Sequence, residues 1–135
     1  MSKVNLAPLK RNTKQKDSIF RAVTSVYTHP TAEEVYNMVV ADCPHVSLTT
    51  VYRNLNALVE EGRLRRIAIP NDSDRFDATL TPHYHVKCDR CGAFVDVDDY
   101  NADINSECAR LTGYTVKYHD IIFHGECEEC SRAQD

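Results

Sequence analysis

Four of the six cysteines form two matched pairs, Cys88 with Cys91 and Cys127 with Cys130, each pair separated by two residues. This spacing lets both sulfurs of a pair approach one ion, and four thiolates close a tetrahedral site with no open position for a substrate. Gly92 directly after Cys91 supplies the turn freedom that such a loop uses. The pattern predicts a structural Zn²⁺ site. A redox dithiol is disfavoured because there are two matched pairs and no thioredoxin-like βαβ pattern surrounds either.

A second group of metal-binding residue types surrounds the first cysteine pair. His83 and His85 are two apart in a predicted strand, so their side chains point the same way. Asp77 precedes them and can fold back across Pro82, and Asp96 lies just beyond the cysteine pair. The pattern favours a transition-metal site, with exposed, solvated histidines as the alternative.

Five other cysteines and histidines have no partner at ligand spacing. We expect the cysteines to be small buried residues and the histidines to be ordinary residues without a metal. These residues are Cys43, Cys108, His45, His119 and His124.

One face of a predicted helix carries Thr49, Tyr52, Arg53 and Asn56 at positions i, i+3, i+4 and i+7. The opposite face is an apolar stripe suited to burial. The four side chains suit a DNA groove, because Arg pairs with guanine edges, Asn pairs with adenine, and Thr methyls or Tyr rings pack on thymine methyls. A small helical bundle with an exposed amphipathic helix is the alternative.

Three helices are expected to position this face. Apolar periodicity predicts a first helix over residues 14–27. Thr31 followed by Glu34 predicts a capping box for a second helix. Ser47 predicts the N-cap of a third helix, the one that carries the reading face, which runs to Glu61.

A two-stranded wing is expected after the third helix. Residues 63–69 and a strand around Phe76 flank the polar turn 70–74. The arginines expected to lie along a phosphate backbone are Arg63, Arg65 and Arg66. Three helices and a basic wing predict a winged helix-turn-helix DNA-binding domain over residues 1–81.

Residues 82–135 predict a small α+β unit, a dimerisation and metal-binding domain. The predicted elements are strands at 84–87, 93–97 and 115–123 and a helix at about 102–111, ended by Gly113. Such a unit buries little core by itself, and a metal and dimerisation are the usual remedies. The fold class expected for the whole chain is therefore α+β.

The charge of the chain is divided unevenly. The net charge is −4, but residues 1–81 carry 11 Lys and Arg against 9 Asp and Glu, whereas residues 82–135 carry 5 against 11. This asymmetry points to an anionic partner for the first half, such as DNA. No apolar run is long enough to span a membrane, and the N-terminus lacks a secretory pattern. We therefore expect a cytoplasmic protein without a membrane partner.

The motifs together resemble the ferric uptake regulator (Fur) family, over about residues 11–130. The matching strings are Ser47-Leu-Thr-Thr-Val-Tyr-Arg-Asn-Leu55, His83-Tyr-His85, Cys88-x-x-Cys91-Gly92 and Cys127-x-x-Cys130. The resemblance is strongest to the peroxide-sensing PerR branch, because Asp96 stands where iron-sensing members typically carry Glu. It implies a metal-dependent repressor that binds operator DNA as a homodimer.

The resemblance also implies a ligand set and a chemistry. The regulatory Fe(II) or Mn(II) ligands fall on His29, Asp77, His83, His85 and Asp96. In the PerR branch the iron form reacts with peroxide, and the oxidised residues correspond to His29 and His83. His29 enters only through the resemblance; otherwise it is a helix-ending surface histidine.

The DNA-binding set expected for this chain has seven members. They are Arg11, Lys14, Thr49, Thr50, Tyr52, Arg53 and Asn56. Two departures from the family pattern stand out. The segment 11–16 keeps the charge of the usual opening but changes the start of the first helix. His83-Tyr-His85 replaces a frequent His-His-Asp-His, which suggests that the extra metal site of those relatives is absent or weak.

Three other functions fit parts of the pattern. The first is an iron- or zinc-responsive uptake regulator without peroxide chemistry, which Asp96 argues against. The second is a metallohydrolase at the His/Asp site, but no general base stands at a suitable spacing. The third is a zinc-ribbon module that binds protein or RNA, which leaves the polar helix face unexplained. We therefore expect neither an enzyme nor a small-molecule substrate.

Overall fold

The computed structural model describes the backbone of residues 11–133 and the side chains of residues 13–133. Three helices come first in this part of the chain, followed by four short strands, a helix, a strand and a last helix. It separates into two units, one ending at Leu80 and the other starting at Thr81. No helix of the described part is long and apolar enough to cross a membrane.

The first unit consists of three helices and a two-stranded sheet. The helices are α1 (Arg11–Thr24), α2 (Ala32–Val39) and α3 (Leu48–Glu60), and the strands are β1 (Arg65–Ile67) and β2 (Arg75–Asp77). The strands are antiparallel, with Arg66 opposite Phe76. The predicted helix order and wing are therefore present.

Local capping sets the start of α2 and of α3, as predicted. Thr31 Oγ1 accepts from the backbone N–H of Glu34 at 3.2 Å, and the Glu34 carboxylate accepts from the Thr31 N–H at 2.9 Å. Ser47 Oγ accepts from the backbone N–H of Thr50 at 3.1 Å. Each cap satisfies backbone donors that the first turn of a helix leaves unpaired.

The predicted bounds of α1 are wrong, because the helix ends at Thr24 rather than at residue 27. The Thr24 hydroxyl donates to the Arg21 carbonyl at 3.0 Å, and the Ser25 hydroxyl donates to the Ala22 carbonyl at 2.8 Å. These side chains occupy carbonyls of the last turn and so compete with its continuation.

The core of the first unit lies between the apolar faces of α1, α2 and α3, closed by the wing. Its side chains are almost fully removed from solvent, which is the main source of stability for a unit of this size. The buried members are Ile19, Val23, Ala32, Val35, Val39, Val46, Val51, Leu55, Leu58, Leu64 and Phe76.

The second unit is a three-stranded sheet with two helices. Its elements are β3 (Tyr84–Cys88), β4 (Phe94–Val97), α4 (Asp103–Thr112), β5 (Ile122–Gly125) and α5 (Glu128–Arg132). The strand order is β4-β3-β5; β4 is antiparallel and β5 parallel to β3. Gly113 ends α4 with a φ of 75°, a left-handed conformation that favours glycine.

Two sequence-based expectations fail in this unit. The strand predicted at 115–123 begins only at Ile122, because β5 pairs with β3 from the register His85 opposite Ile122 onward and β3 itself begins at Tyr84. In the described part of this unit, residues 115–120 belong to no strand. Helix α5 was not predicted, since its five residues are too few to show a periodicity.

Candidate metal centres and DNA-reading face

The four paired cysteines converge at one end of the second unit. Cys88 ends β3, Cys91 follows in the adjoining turn, Cys127 precedes α5 and Cys130 lies within it. Their sulfurs all lie within 4.8 Å of one another, and the Cys91 and Cys127 sulfurs are 3.8 Å apart. Tetrahedral Zn²⁺ with Zn–S bonds near 2.3 Å separates its sulfurs by about 3.8 Å. The donor set and its spacing therefore fit zinc.

Charge at the cysteine cluster is unevenly distributed. The pKa of Cys88 is lowered to about 6, because the backbone N–H groups of Cys91 and Cys127 donate to its sulfur. The pKa of Cys130 is raised to about 12 by its hydrogen bonds with the Cys127 and Cys88 side chains. The backbone thus favours one thiolate, whereas several thiolates this close need a cation between them.

In the first unit, His29 and Asp77 form a buried pair. Their side chains are 3 % and 2 % exposed, and His29 Nδ1 lies 3.4 Å from Asp77 Oδ1. The segment before α2 runs beside β2, where the Phe76 N–H donates to the Pro30 carbonyl at 3.0 Å. Arg75 adds a bond from its guanidinium to the His29 carbonyl at 3.1 Å. These bonds bring His29 to the end of β2 and so to Asp77.

The backbone of His29 is strained. Its φ is 53°, in the left-handed region that side-chain-bearing residues seldom adopt. Such conformations cost about 1–3 kcal/mol and cluster at functional sites. Sequence spacing gave no reason to select His29, and this backbone feature is a signal that only the structure provides.

In the second unit, His83, His85 and Asp96 lie together. The β3–β4 register sets His85 opposite Asp96, and His83 is two residues away on the same side of β3. The Nε2 atoms of His83 and His85 lie 3.3 and 3.4 Å from Asp96 Oδ1. Neighbouring donors around one ion with bonds of about 2.1 Å are separated by about 3.0–3.4 Å. The three side chains therefore fit a metal site.

The tautomer of His83 also suits metal binding. Its Nδ1 lies 2.7 Å from the Thr81 carbonyl oxygen, which can only accept, so Nδ1 carries the proton. Nε2 is then the ring nitrogen that faces Asp96. Orientation of a ligand histidine through its second nitrogen is a recurrent feature of metal sites.

The predicted reading face of α3 is exposed. Its four members, Thr49, Tyr52, Arg53 and Asn56, all lie on the solvent side, whereas Val51, Leu55 and Leu58 on the opposite side are buried. Thr50 differs from these four because it is half-buried and its hydroxyl lies 2.9 Å from Ser47 Oγ, within the cap of α3.

The two predicted DNA contacts of α1 differ in what the structure describes. Lys14 is exposed, in keeping with a role at a phosphate backbone. The side chain of Arg11 lies outside the described residues.

Two side chains of the reading face are held by neighbours. The Tyr52 hydroxyl donates to Glu33 Oε1 of α2 at 3.0 Å, and this bond raises the Tyr52 pKa. The Arg66 guanidinium of β1 donates to Asn56 Oδ1. The reading face is therefore fixed by side chains from both the preceding helix and the wing.

The wing arginines do not share one environment. Arg63 lies with its guanidinium carbon 4.2 Å from the centre of the Phe20 ring and is exposed, as is Arg66. Arg65 is half-buried. That all three arginines lie along a phosphate backbone stays a prediction.

His119 belongs to a hydrogen-bonded cluster that spacing did not reveal. Its Nδ1 lies 2.7 Å from Asn105 Oδ1 of α4, and its Nε2 lies 2.6 Å from the Tyr84 hydroxyl of β3. The Tyr100 ring stacks on the imidazole at 4.8 Å. The cluster ties β3, α4 and the segment before β5 together.

The remaining residues singled out by type lie apart from these clusters. Cys43 is half-buried against the core of the first unit, close to expectation. The expectation that Cys108 is buried is wrong, because it lies exposed on α4, a helix that buries none of its residues fully. His45 is exposed, and His124 Nδ1 lies 3.7 Å from Asp89 Oδ1 at the surface.

Comparison with known proteins shows which family this chain is similar to. The model of the ferric uptake regulator family matches residues 9–132. The chain is 32 % identical to the peroxide operon regulator of Bacillus subtilis, over 93 % of this chain and 87 % of that protein. It is 34 % identical to the peroxide-responsive repressor PerR of Staphylococcus aureus, over 89 % and 82 %.

A solved structure of a related regulator has the same fold. The peroxide stress regulator of Campylobacter jejuni superposes with a TM-score of 0.74 and 27 % identity, over 89 % of this chain and 91 % of that one. The α+β fold class, with a winged helix-turn-helix followed by a smaller α+β unit, is thereby confirmed.

Proposed function

The chain belongs to the ferric uptake regulator family, and on that premise we propose that it is a peroxide-responsive, metal-dependent repressor that binds operator DNA as a cytoplasmic homodimer. Members of this family are transcriptional regulators rather than enzymes, which excludes the metallohydrolase alternative. The peroxide-responsive relatives favour this reading over a regulator that senses metal supply alone.

The cysteine cluster is the proposed structural zinc site. Its four sulfurs come from the end of β3 with the turn after it, and from α5 with the residue before it. Four thiolates leave no coordination position open, so the site stabilises the fold and does no chemistry. The sparse apolar core of this unit makes such a tie necessary.

The proposed regulatory site combines the His29–Asp77 pair of the first unit with His83, His85 and Asp96 of the second. Its best support is the trio in the second unit, where two imidazole nitrogens lie 3.3 and 3.4 Å from one carboxylate oxygen. Imidazoles with carboxylates and no thiolate suit Fe(II) or Mn(II). The strained backbone of His29 supports its inclusion.

Ligands drawn from both units couple metal binding to DNA binding. Residues of the two units that share one ion hold the units in a single arrangement, and in a homodimer this arrangement sets the spacing of the two reading helices. Coupling of this kind needs only a higher DNA affinity for the held arrangement, without contact between metal and DNA.

The peroxide response depends on the imidazoles of His29 and His83. Fe(II), when bound, would activate hydrogen peroxide by redox chemistry that Mn(II) would not supply. In the net step one peroxide oxygen would enter a C–H bond of one of these rings, which is oxidised by two electrons, and the other oxygen would leave as water. The oxidised ring would be a weaker ligand, which would release the two units from the held arrangement. The Thr81 carbonyl keeps Nε2 of His83 directed into the site.

DNA binding before and after peroxide tests this function. DNA selected from a random duplex pool serves as probe, with the Fe(II) and Mn(II) forms prepared without oxygen. We expect both forms to bind, peroxide to release only the Fe(II) form, and peptides containing His29 or His83 to gain one oxygen. Release without histidine oxidation, with modification of cysteines alone, would instead identify a thiol switch.

The same experiment decides the remaining alternative. If both forms bind in a metal-dependent way and peroxide releases neither, the protein is an iron- or zinc-responsive regulator. A matched pair of variants, Asp96→Ala and Asp98→Ala, separates ligand loss from charge loss. Asp98 is an exposed carboxylate just past β4, two residues from Asp96.

A further inference from the structure

The amide of Asn56 on the reading face is already occupied on one side. Arg66 of the wing donates from its terminal guanidinium nitrogen to Asn56 Oδ1. A guanidinium carries donors only, so the atom it meets is the carbonyl oxygen and not the amino nitrogen of the amide. The bond takes one of the two lone pairs of Oδ1 and places the guanidinium charge beside the other, whereas both N–H donors of Asn56 are not engaged by Arg66.

Arg66 is itself held in place by the wing. Its Nε lies 3.6 Å from Asp74 Oδ2, and its guanidinium carbon lies 5.9 Å from the centre of the Phe76 ring. Phe76 is 1 % exposed and stands opposite Arg66 in the β1–β2 register. A strand position, an ion pair and a buried ring thus fix the arginine that meets Asn56.

Resting on the proposed function, we infer that Arg66 is a specificity-determining residue, which biases Asn56 toward guanine over adenine. Reading adenine brings its amino group, a donor, to the Asn56 oxygen, where the positive charge of Arg66 already lies and disfavours a second donor. Guanine presents two acceptors, N7 and O6, which match the N–H donors of Asn56 beside those of Arg66.

This role differs from that of an arginine that only contacts phosphate. Phosphate contacts strengthen binding to every sequence alike and carry no base preference. Arg66 acts on preference through the amide it holds. Its loss removes the positive charge beside Asn56 Oδ1, after which the amide can pair with adenine using both of its groups.

Arg63 provides a matched control within the same segment. It is also an exposed arginine beside an aromatic ring, 4.2 Å from the centre of Phe20, and its NH1 lies 3.5 Å from Glu61 Oε1. No bond to a reading-face side chain is recorded for it among the described residues. Removing Arg63 or Arg66 thus removes one positive charge, but only Arg66 holds Asn56.

The test is selection from a random duplex pool with the full-length, Mn(II)-loaded protein. The base pair read by Asn56 is the one at which Asn56→Ala removes preference. There we expect the wild type to prefer guanine over adenine by roughly 5- to 150-fold. Arg66→Met keeps an apolar stem against Phe76 and removes the donors. We expect it to lose that preference or shift it to adenine, and Arg63→Met to keep it with uniformly weaker binding.

Several results overturn the inference. These are a wild-type preference for adenine at that base pair, an unchanged preference in Arg66→Met, or no base pair that responds to Asn56→Ala. If Arg66→Met fails to fold, Asn56→Asp replaces it: the carboxylate keeps the Arg66 bond but has no donor, so the guanine preference should vanish. Absence of any metal-dependent selection by the wild type would reject the proposed function itself.

Discussion

The two units of this protein are stabilised in different ways. Among the described residues of the first unit, thirteen apolar side chains are buried, drawn from the three helices, the segment before α3 and the wing. In the second unit, the buried apolar residues among those described are Tyr84, Cys88 and Phe94, one of which is a proposed zinc ligand. Burial of apolar surface can hold the first unit together, whereas we propose that the second depends on its cysteine cluster, its polar contacts and a dimer interface.

This difference explains why the predicted DNA-reading side chains lie in the first unit and most of the proposed metal ligands in the second. The reading face needs a rigid scaffold, because a groove reader requires side chains held in fixed positions, and the apolar core provides it. The second unit has a small apolar core, so many side chains of its sheet are available as metal ligands. His83 directly precedes β3, His85 lies within it and Cys88 ends it.

The largest effect is expected from loss of a zinc ligand. Cys127→Ser should release zinc and unfold the second unit while the helices of the first remain, because structural zinc contributes roughly 10–16 kcal/mol to domains of this kind. Zinc content measures release of the ion, circular dichroism measures the loss of structure, and size-exclusion chromatography measures the oligomeric state. Cys108→Ser, at an exposed cysteine of α4, is the control. A folded, zinc-free dimer would contradict the proposed role of the cluster.

A substitution in the apolar core should destabilise the first unit and leave the second unit unchanged. Leu55 is 0 % exposed in the centre of α3, so Leu55→Ala should lower the free energy of unfolding of the first unit by about 2–5 kcal/mol. Zinc should stay bound to the second unit. Urea unfolding followed by circular dichroism, with zinc release recorded in parallel, tests both points. Leu48→Ala, at a 37 % exposed position of the same helix, should cost much less. Simultaneous loss of zinc would show that the units do not differ as described.

Removing a regulatory ligand should affect DNA binding and not folding. His85→Ala and Asp77→Ala should weaken Mn(II)-dependent DNA binding by about 100-fold or more, since the held arrangement of the units is lost, with zinc content and unfolding unchanged. Gel-shift titration gives the affinity. His124→Ala removes an imidazole that is 44 % exposed and serves as the control. Full affinity in either ligand variant would refute coupling through this site.

The smallest effect concerns the reading face itself. Glu33 raises the Tyr52 pKa by accepting a hydrogen bond from the neutral phenol and by repelling the phenolate. Glu33→Gln should therefore lower that pKa toward its ordinary value, with phenolate forming at lower pH than in the wild type. Ultraviolet titration of tyrosinate shows the shift, and Tyr52→Phe identifies which of the 7 tyrosines it belongs to. An unchanged titration would show that the bond is not kept in solution.

Local sequence signals predicted much of the fold. The capping box at Thr31, the N-cap at Ser47 and the left-handed Gly113 were each placed correctly, because each depends on bonds between residues at most four apart. The limits of α1 and of β5 were not. The first depends on competition by Thr24 and Ser25 side chains, and the second on where a partner strand begins.

The same division holds for the candidate sites. Spacing alone grouped the four cysteines and paired His83 with His85, since short loops and strand alternation bring such residues together in any fold. It could not supply the His119 cluster, whose members Tyr84, Tyr100 and Asn105 come from separate elements. It also predicted that Cys108 is buried, whereas Cys108 is exposed.

What the sequence determined by itself is the chemistry: which thiols, imidazoles and carboxylates are available, and which helix face is polar. What only the tertiary structure decided is how those groups are oriented. The carbonyl that fixes the His83 tautomer, the strand that brings His29 to Asp77, and the arginine that occupies one side of Asn56 are all contacts across the fold. The physical reason is that residue type sets what a side chain can donate or accept, while its neighbours in space set which of those options remains open.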